Sequence, residues 1–509
     1  MSEPAKLAVI DLGSNSFRLV VFSYAEPDET GRAWWRRTDE IHEAVRIAAG
    51  QGEDGTLAEE PIERALETLE LYAHFCRATG VEDVRPVATS AIRDAANRGA
   101  FLHAARERTG LEVRVLSREE EARYGYLAAV NSTTLADGVA LDLGGGSMQL
   151  TRVDSRLATD GRSWPLGAVR MTERFLPGEK AKGKQVKALR AHVAEQLAEA
   201  AWLERGGRLV GVGGTVRNLA SAAEIAAELP SYGVQGFSIS RAALDELVER
   251  LAELDSGDRA SVPGIKAARG DLILAGALVV QCVMEAGDFE ALEVTEAGLR
   301  EGVFYETLLG DLDPPLIEDV RRASVLNLAS AYGADFAHVD HVARLALELW
   351  ESLGSAGLHG CDPLERDLLW SAAMLHDIGT AVDYDDHHKH SRYLILNAGL
   401  PGFSPRETGL IGQLARYHRK GSPGLGEFTA LARDGDEEMV ARCAAVLRLA
   451  EQLERPRDQT VEGVVVEVED GRVSLRLQHT QDVTVARWAA ERERDLFKKA
   501  IGKELEIVD

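Results

Sequence analysis

Two ten-residue stretches of this chain, IDLGSNSFRL at 10–19 and LDLGGGSMQL at 141–150, align without a gap. Asp11 falls on Asp142, Gly13 on Gly144, Ser16 on Ser147 and Leu19 on Leu150. Each stretch follows an apolar run (KLAVI, GVAL) and leads into another (RLVVF, QLTRV), so the repeated unit is a strand, an Asp-headed turn of small residues and a returning strand. Gly144, Gly145 and Gly146 in succession cost chain entropy and pack nothing. Either this is a plain hairpin turn, or something approaches the backbone so closely that no side chain fits. Converging N–H groups in such a turn form a nest for an anion, and phosphate is the common guest.

A third turn, LVGVGGTVRNL at 209–219, carries Gly213, Gly214 and Thr215 after a strand and then runs into a helical pattern. Three small-residue turns, two bearing an aspartate, suggest two facing lobes that grip phosphates and a divalent metal between them. Asp11 and Asp142 are hard oxygen donors suited to Mg²⁺, directly or through water; the alternative is that each only accepts hydrogen bonds from its own turn. The N–H groups around Gly144, Gly145, Gly146 and Ser147 would cradle phosphates from one side, and those around Gly213, Gly214 and Thr215 from the other.

A length of 509 residues implies several domains. Strand and helix patterns alternate to about 310, with a lobe boundary expected just before the second Asp-headed turn (lobes 1–132 and 133–312). Past the turn-forming GDLDPP, long helical patterns such as HVARLALELW and RDLLWSAAMLHDIG fill 313–458. A hairpin pattern with Asp470-Gly471 at its turn opens a small α/β tail at 459–509. The longest apolar run, LILAGALVV at 272–280, is too short to span a membrane, so no membrane partner is expected. The four cysteines lie far apart in sequence, and the first strand pattern begins by Lys6, which together favour a reduced, cytoplasmic setting.

The formal charge of −25 argues against nucleic acid as a partner and requires any polyanion site to gather its cations locally. The densest basic run is EKAKGKQVKALR at 179–190, with Lys180, Lys182, Lys184, Lys187 and Arg190. It is either a phosphate track, with Lys182 and Lys184 at its centre, or a solvated helix start.

The turns DLGSNSFRL and DLGGGS, with ATSAIRDAAN, SREEEARYGY, PLGAVRMTERF, VGGT and TEAGLREGV in order, resemble the exopolyphosphatase and guanosine pentaphosphate phosphatase (Ppx/GppA) family. The resemblance covers residues 6–310 and continues more loosely to the end. It implies an α/β fold of two duplicated actin-like (ASKHA, ribonuclease H-like) lobes, followed by the helical domain and the small tail. It implies Mg²⁺-dependent release of orthophosphate from the ends of inorganic polyphosphate, or attack on guanosine pentaphosphate by the same atoms, in a homodimer. A sensor that binds either ligand without turnover is the reading from another class. Asn15, Ser16 and Arg93 match family positions that contact terminal phosphates. Glu121 matches the base that activates water, although Ser117 and Glu120 also form a capping-box pattern that accounts for acids at a helix start.

Two departures stand out. The family usually has glutamate where this chain has Gln149, and an amide can orient water but cannot take its proton. In the helical segment, His338 and the LHDIG motif with His376 and Asp377 resemble the HD phosphohydrolase superfamily, whose metals are held by histidines and aspartates; His387, His388, His390 and His418 lie nearby in sequence. The aspartate expected to close that set is Glu451 here. The domain is then either a second metal site or a degenerate scaffold that binds a polyanion or a partner chain.

Overall fold

The computed structural model describes residues 4–25, 33–52, 54–203, 207–469 and 471–508. Asp470, at the expected hairpin turn, lies outside them. The chain forms two compact units, the first ending at Val320 and the second beginning at Arg321 apart from a short N-terminal segment.

The first unit contains two sheets. In one, β1 (Ala5–Leu12), β2 (Phe17–Ala25), β3 (Trp34–Glu43), β4 (Asp83–Ala88) and β5 (Arg114–Val115) are arranged in the order β3-β2-β1-β4-β5. In the other, β6 (Gly138–Leu143), β7 (Met148–Asp154), β8 (Leu157–Trp164), β9 (Arg208–Val212), β10 (Ser238–Ser240) and β11 (Ala291–Val294) run β10-β11-β9-β6-β7-β8. β1 pairs antiparallel with β2 and parallel with β4, and β6 pairs in the same way with β7 and β9. The sequence repeat is thus a repeated sheet, and the protein has the duplicated lobes of an actin-like fold. Both Asp-headed turns close with the same bond, Gly13 N–H to the Ser16 carbonyl at 3.2 Å and Gly144 N–H to that of Ser147 at 3.0 Å.

Unbroken apolar runs bury Leu7 to Ile10 and Leu19 to Phe22 in the first lobe, as in strands covered on both faces. The second lobe is built on the helix Gly270–Ala286, whose residues Leu272 to Met284 are all buried. The helical stretch Ala267–Ala286 is long and apolar enough to cross a membrane by composition, a length that the nine-residue apolar run does not reveal, but most of it lies inside the lobe. A helix that is apolar all round is the expected core helix of a large lobe. The helix Leu299–Leu308 leaves the second sheet and packs on the first, where Phe304 stacks on Phe22 of β2 at 4.3 Å.

The second unit is a helical bundle with a three-stranded sheet, β12 (Val461–Glu469), β13 (Arg472–His479) and β14 (Glu504–Val508). Although the sequence pattern sets a tail apart from 459, Val473, Leu475, Phe497 and Ile507 join one core with Leu345, Leu349 and Leu447 of the helices.

Candidate active site

The two Asp-headed turns face each other, and the strand geometry dictates what they present. Asp11 ends β1, Asp142 ends β6, and in each hairpin the aspartate is paired across the ladder, Asp11 with Arg18 and Asp142 with Gln149. A Cβ on Gly146 would press into Ser90 and come within 3.1 Å of Ser14 Oγ, so a side chain there would force the lobes apart. Gly213, with φ of 111°, turns β9 into the helix Gly214–Ala226, and a Cβ there would lie 2.6 Å from the Leu143 carbonyl oxygen. The glycines are therefore explained by close approach of one turn to another.

Between these turns lies a polar cleft of about 120 Å³. Asp11, Glu121 and Asp142 line it together with the backbone of Gly13, Gly144, Gly145, Gly213 and Gly214, and with Asn15 and Ser16. Glu121 reaches it from the helix Arg118–Ser132, which starts with the expected capping box: Ser117 Oγ accepts from Glu120 N–H at 3.1 Å, and Glu120 accepts from Ser117 N–H at 2.8 Å. Glu119 and Glu120 stay at the surface end of the helix, and only Glu121 turns inward and is buried.

Both oxygens of Glu121 are positioned. Ser147 Oγ donates to Oε1 at 2.9 Å and Arg93 Nη1 donates to Oε2 at 2.7 Å. Gln149 Nε2 in turn donates to Ser147 Oγ at 3.1 Å, which leaves the serine proton to point at Glu121. Gln149 thus acts through Ser147, as an amide and not as a base. Each Glu121 oxygen keeps a further lone pair free to accept from a water.

Burial raises the pKa of Asp11, and burial, then Glu121, then Asp11, push Asp142 up to about 7. Burial and the facing Glu121 carboxylate thus raise both Asp11 and Asp142, and a bound cation would lower them again. Among the described residues they are not packed into a tight cluster, since the close groups of three metal-ligating side chains lie elsewhere. That spacing suits an ion that keeps waters and phosphate oxygens in its shell, as Mg²⁺ does.

Four arginines complete the cleft, three of them inside the quoted motifs but not singled out by them. Arg18, Arg217, Arg269 and Arg300 all line it. Burial first, then Arg300 and Arg18, lower Arg217 to about 10; burial, then Arg18, lower Arg269 to about 10. Arg300 is instead raised, because Glu301, Asp11 and Glu40 outweigh its burial. Cations that repel one another in a buried cleft are a site for several negative charges. The arginines extend into a second cavity of about 260 Å³, which also takes in His42, Asn218, Lys266 and Glu296.

Other expected residues lie off the cleft. Arg93 is not on its wall and is occupied by Glu121 and by the Leu116 carbonyl at 3.1 Å. Thr215 is buried with its methyl against Gly276, so at most its backbone serves the turn. Lys182 and Lys184 are exposed at the start of the helix Gly183–Leu197, outside the cleft. Lys184, Lys187 and Arg190 fall on one side of that helix, with Arg190 held by Glu285, whereas the arginines of the cleft converge from four separate segments.

Comparison with known proteins agrees with this geometry. Residues 38–310 match the Ppx/GppA phosphatase family and residues 320–500 match domain III of Ppx/GppA phosphatases. A Vibrio vulnificus protein named guanosine-5'-triphosphate,3'-diphosphate pyrophosphatase is 28% identical over 480 residues, 92% of this chain and 91% of its own length. The crystal structure of the Aquifex aeolicus Ppx/GppA family member is similar over 60% of this chain and 99% of that one, with 27% identity and a TM-score of 0.52. An exopolyphosphatase from Cytophaga hutchinsonii, 22% identical over 60% of this chain and 98% of its own, shares the fold with a TM-score of 0.55. The family match spans more than half of the chain, and the chain belongs to the Ppx/GppA phosphatase family.

Proposed function

We propose that the protein is a Mg²⁺-dependent exopolyphosphatase that releases orthophosphate from the end of inorganic polyphosphate. The observation that carries this reading is the row of cations beyond the catalytic turns. Arg18, Arg217, Arg269 and Lys266 border the second cavity, and among the described residues no Phe, Tyr or Trp is on its wall. Such a wall suits a continuing phosphate chain better than a purine, whose binding commonly uses an aromatic or apolar face. At ionic strengths near 0.15 M the Debye length is about 8 Å, so this local field outweighs the −25 charge of the whole chain.

The terminal phosphate would sit on the N–H groups of Gly13, Gly144 and Gly145, with Gly213 and Gly214 opposite. Asp11 and Asp142 would hold Mg²⁺, which when bound neutralises phosphoryl oxygens in the transition state. Glu121, fixed by Ser147 and Arg93, accepts the proton of the attacking water. The arginines take up charge on the leaving chain. A homodimer, which rests on the family resemblance, and a cytoplasmic setting, which rests on the separated cysteines, belong to the same proposal.

The raised pKa of Asp142 predicts how this depends on pH. Its acid form is favoured in the folded protein, so its contribution to stability is present below the unfolded value of about 3.9 and is lost as pH rises through about 7. Binding the metal must expel that proton. The Mg²⁺ concentration needed for half-maximal rate should rise by up to about tenfold for each pH unit below about 7 and level off above it. Magnesium titrations of activity between pH 5.5 and 8, assay values chosen to bracket the Asp142 transition on both sides by roughly a unit, measure this directly.

A second reading, hydrolysis of guanosine pentaphosphate, is favoured by the Vibrio vulnificus relative, whose name carries that activity and which matches nearly the whole chain. Phosphate release from long-chain polyphosphate and from guanosine pentaphosphate, at matched terminal concentrations, decides between them. A higher kcat/KM for polyphosphate supports the proposal; a higher value for the nucleotide assigns the second cavity to guanosine.

A further inference from the structure

Within the helical unit, His338, His376 and Asp377 come together, and Asp377 is shared with His387 and His418, as the HD resemblance implies. The feature that no resemblance assigns lies in the first unit, behind the glycine turn of the second lobe.

The helix Ala168–Phe175 starts against that turn. Ala168 N–H donates to the Gly144 carbonyl at 3.0 Å, and the N–H groups of Val169 and Arg170 donate to that of Gly145 at 2.8 and 3.3 Å. Gly167 lets the helix come so close, since a Cβ there would lie 2.3 Å from the Gly145 carbonyl oxygen. The carbonyl of the third glycine, Gly146, is taken by a side chain: Arg170 Nε donates to it at 3.1 Å. In a trans peptide the N–H points away from the C=O, so holding these three carbonyls on the helix side turns the N–H groups of Gly145, Gly146 and Ser147 the other way.

The same guanidinium reaches the first lobe. Arg170 Nη2 donates to Asp94 Oδ2 at 3.3 Å. Asp94 follows the short helix Ser90–Arg93, and its Oδ1 lies 3.6 Å from Arg93 Nε. Arg93 Nη1 in turn holds Glu121 Oε2 at 2.7 Å. A row of alternating charges therefore runs from the glycine turn of one lobe through Arg170, Asp94 and Arg93 to the carboxylate that takes the water's proton. One link is slack. Arg93 Nε is buried and makes no hydrogen bond, because the Asp94 oxygen beside it is too far away for one. Asp94 is divided between two guanidinium groups. Without Arg170 it is free to close on Arg93 with both oxygens, and a bidentate pair of that kind draws the guanidinium off Glu121.

We infer that Arg170 is a positioning residue: by joining Asp94 of one lobe to the Gly146 carbonyl of the other, it keeps Arg93 on Glu121 and the base aligned with the phosphate turn. The inference rests on Glu121 as the base and not on which phosphoanhydride is the substrate.

Steady-state phosphate release, on whichever of polyphosphate and guanosine pentaphosphate the wild type hydrolyses faster, tests it. Arg170→Gln should lower kcat by about 10- to 100-fold, the cost of a small misplacement at the reacting atoms, with a smaller change in KM. The Arg170 and Asp94 side chains are 42% and 34% exposed, so their pairing adds little to stability and the melting temperature should barely move. Asp94→Ala should also lower kcat, and adding it to Arg170→Gln should cost no more than about a further twofold, because both changes break one line of contacts. Losses in kcat that multiply overturn the inference, as does an Arg170→Gln effect confined to KM. A kcat of Arg170→Gln within about threefold of wild type, where Glu121→Gln is inactive, overturns it and leaves the base in place. Turnover by Glu121→Gln close to wild type removes the base, and the inference with it.

Discussion

Replacing Glu121 by Gln should lower turnover by about 10² to 10⁴ while leaving the fold and substrate affinity intact, since a positioned base contributes about that much. The change is nearly isosteric, and Ser147 can still donate to the remaining carbonyl oxygen. Arg93 loses its ion pair, but its bond to the Leu116 carbonyl persists. A glutamine cannot take a proton, Gln149 behind Ser147 is also an amide, and Asp11 and Asp142 are given to the metal in this scheme, so no neighbour takes over. Single-turnover phosphate release at saturating substrate, beside a binding measurement, separates loss of chemistry from loss of binding. Turnover within about threefold of wild type, well short of a base's usual contribution, would remove Glu121 from that role.

The second large effect is expected at Arg217. It lines both the cleft and the cavity beyond it, and its guanidinium is already destabilised by burial and by Arg300 and Arg18. A bound phosphate relieves that repulsion and accepts a charge-assisted hydrogen bond of about 1.5 to 3 kcal/mol. Arg217→Gln should therefore raise KM by about 10- to 150-fold, with a smaller change in kcat, and should flatten the dependence of KM on salt. The protein without substrate should not lose stability in proportion, because a repelling cation has been removed; the lost bond to the Glu296 carbonyl at 2.8 Å works the other way. An unchanged KM with a large drop in melting temperature would mean that Arg217 serves only the fold.

The contrast between Arg217 and Lys184 shows what the sequence discloses and what it hides. The Asp-headed turns are legible because a metal ligand beside a tight backbone approach leaves a local mark: one aspartate, then glycines, twice. Glu121 is legible only through resemblance, since an acid after Ser117 is equally a helix cap, and in the structure Glu120 is the cap. Arg18, Arg217, Arg269 and Arg300 lie in four separate segments; although three of them fall inside the quoted motifs, nothing local marks them as partners, because only the facing lobes bring them together. The lysine run is conspicuous for the opposite reason: charges close in sequence are easily seen and are easily solvated. One signal was available for Arg18, which occupies the repeat position held by Gln149 in the second lobe and so sits across the ladder from Asp11.

The central claim is that water, activated beside Glu121, attacks the terminal phosphorus held between the two Asp-headed turns. Hydrolysis of tripolyphosphate in ¹⁸O-labelled water, stopped after a single turnover and read by mass spectrometry, tests it most directly. The account predicts one labelled oxygen in the released orthophosphate and none in the pyrophosphate left behind, with the labelled product lost in the Glu121→Gln variant. Label in the pyrophosphate would place the attack on the inner phosphorus and contradict the assignment of the cleft.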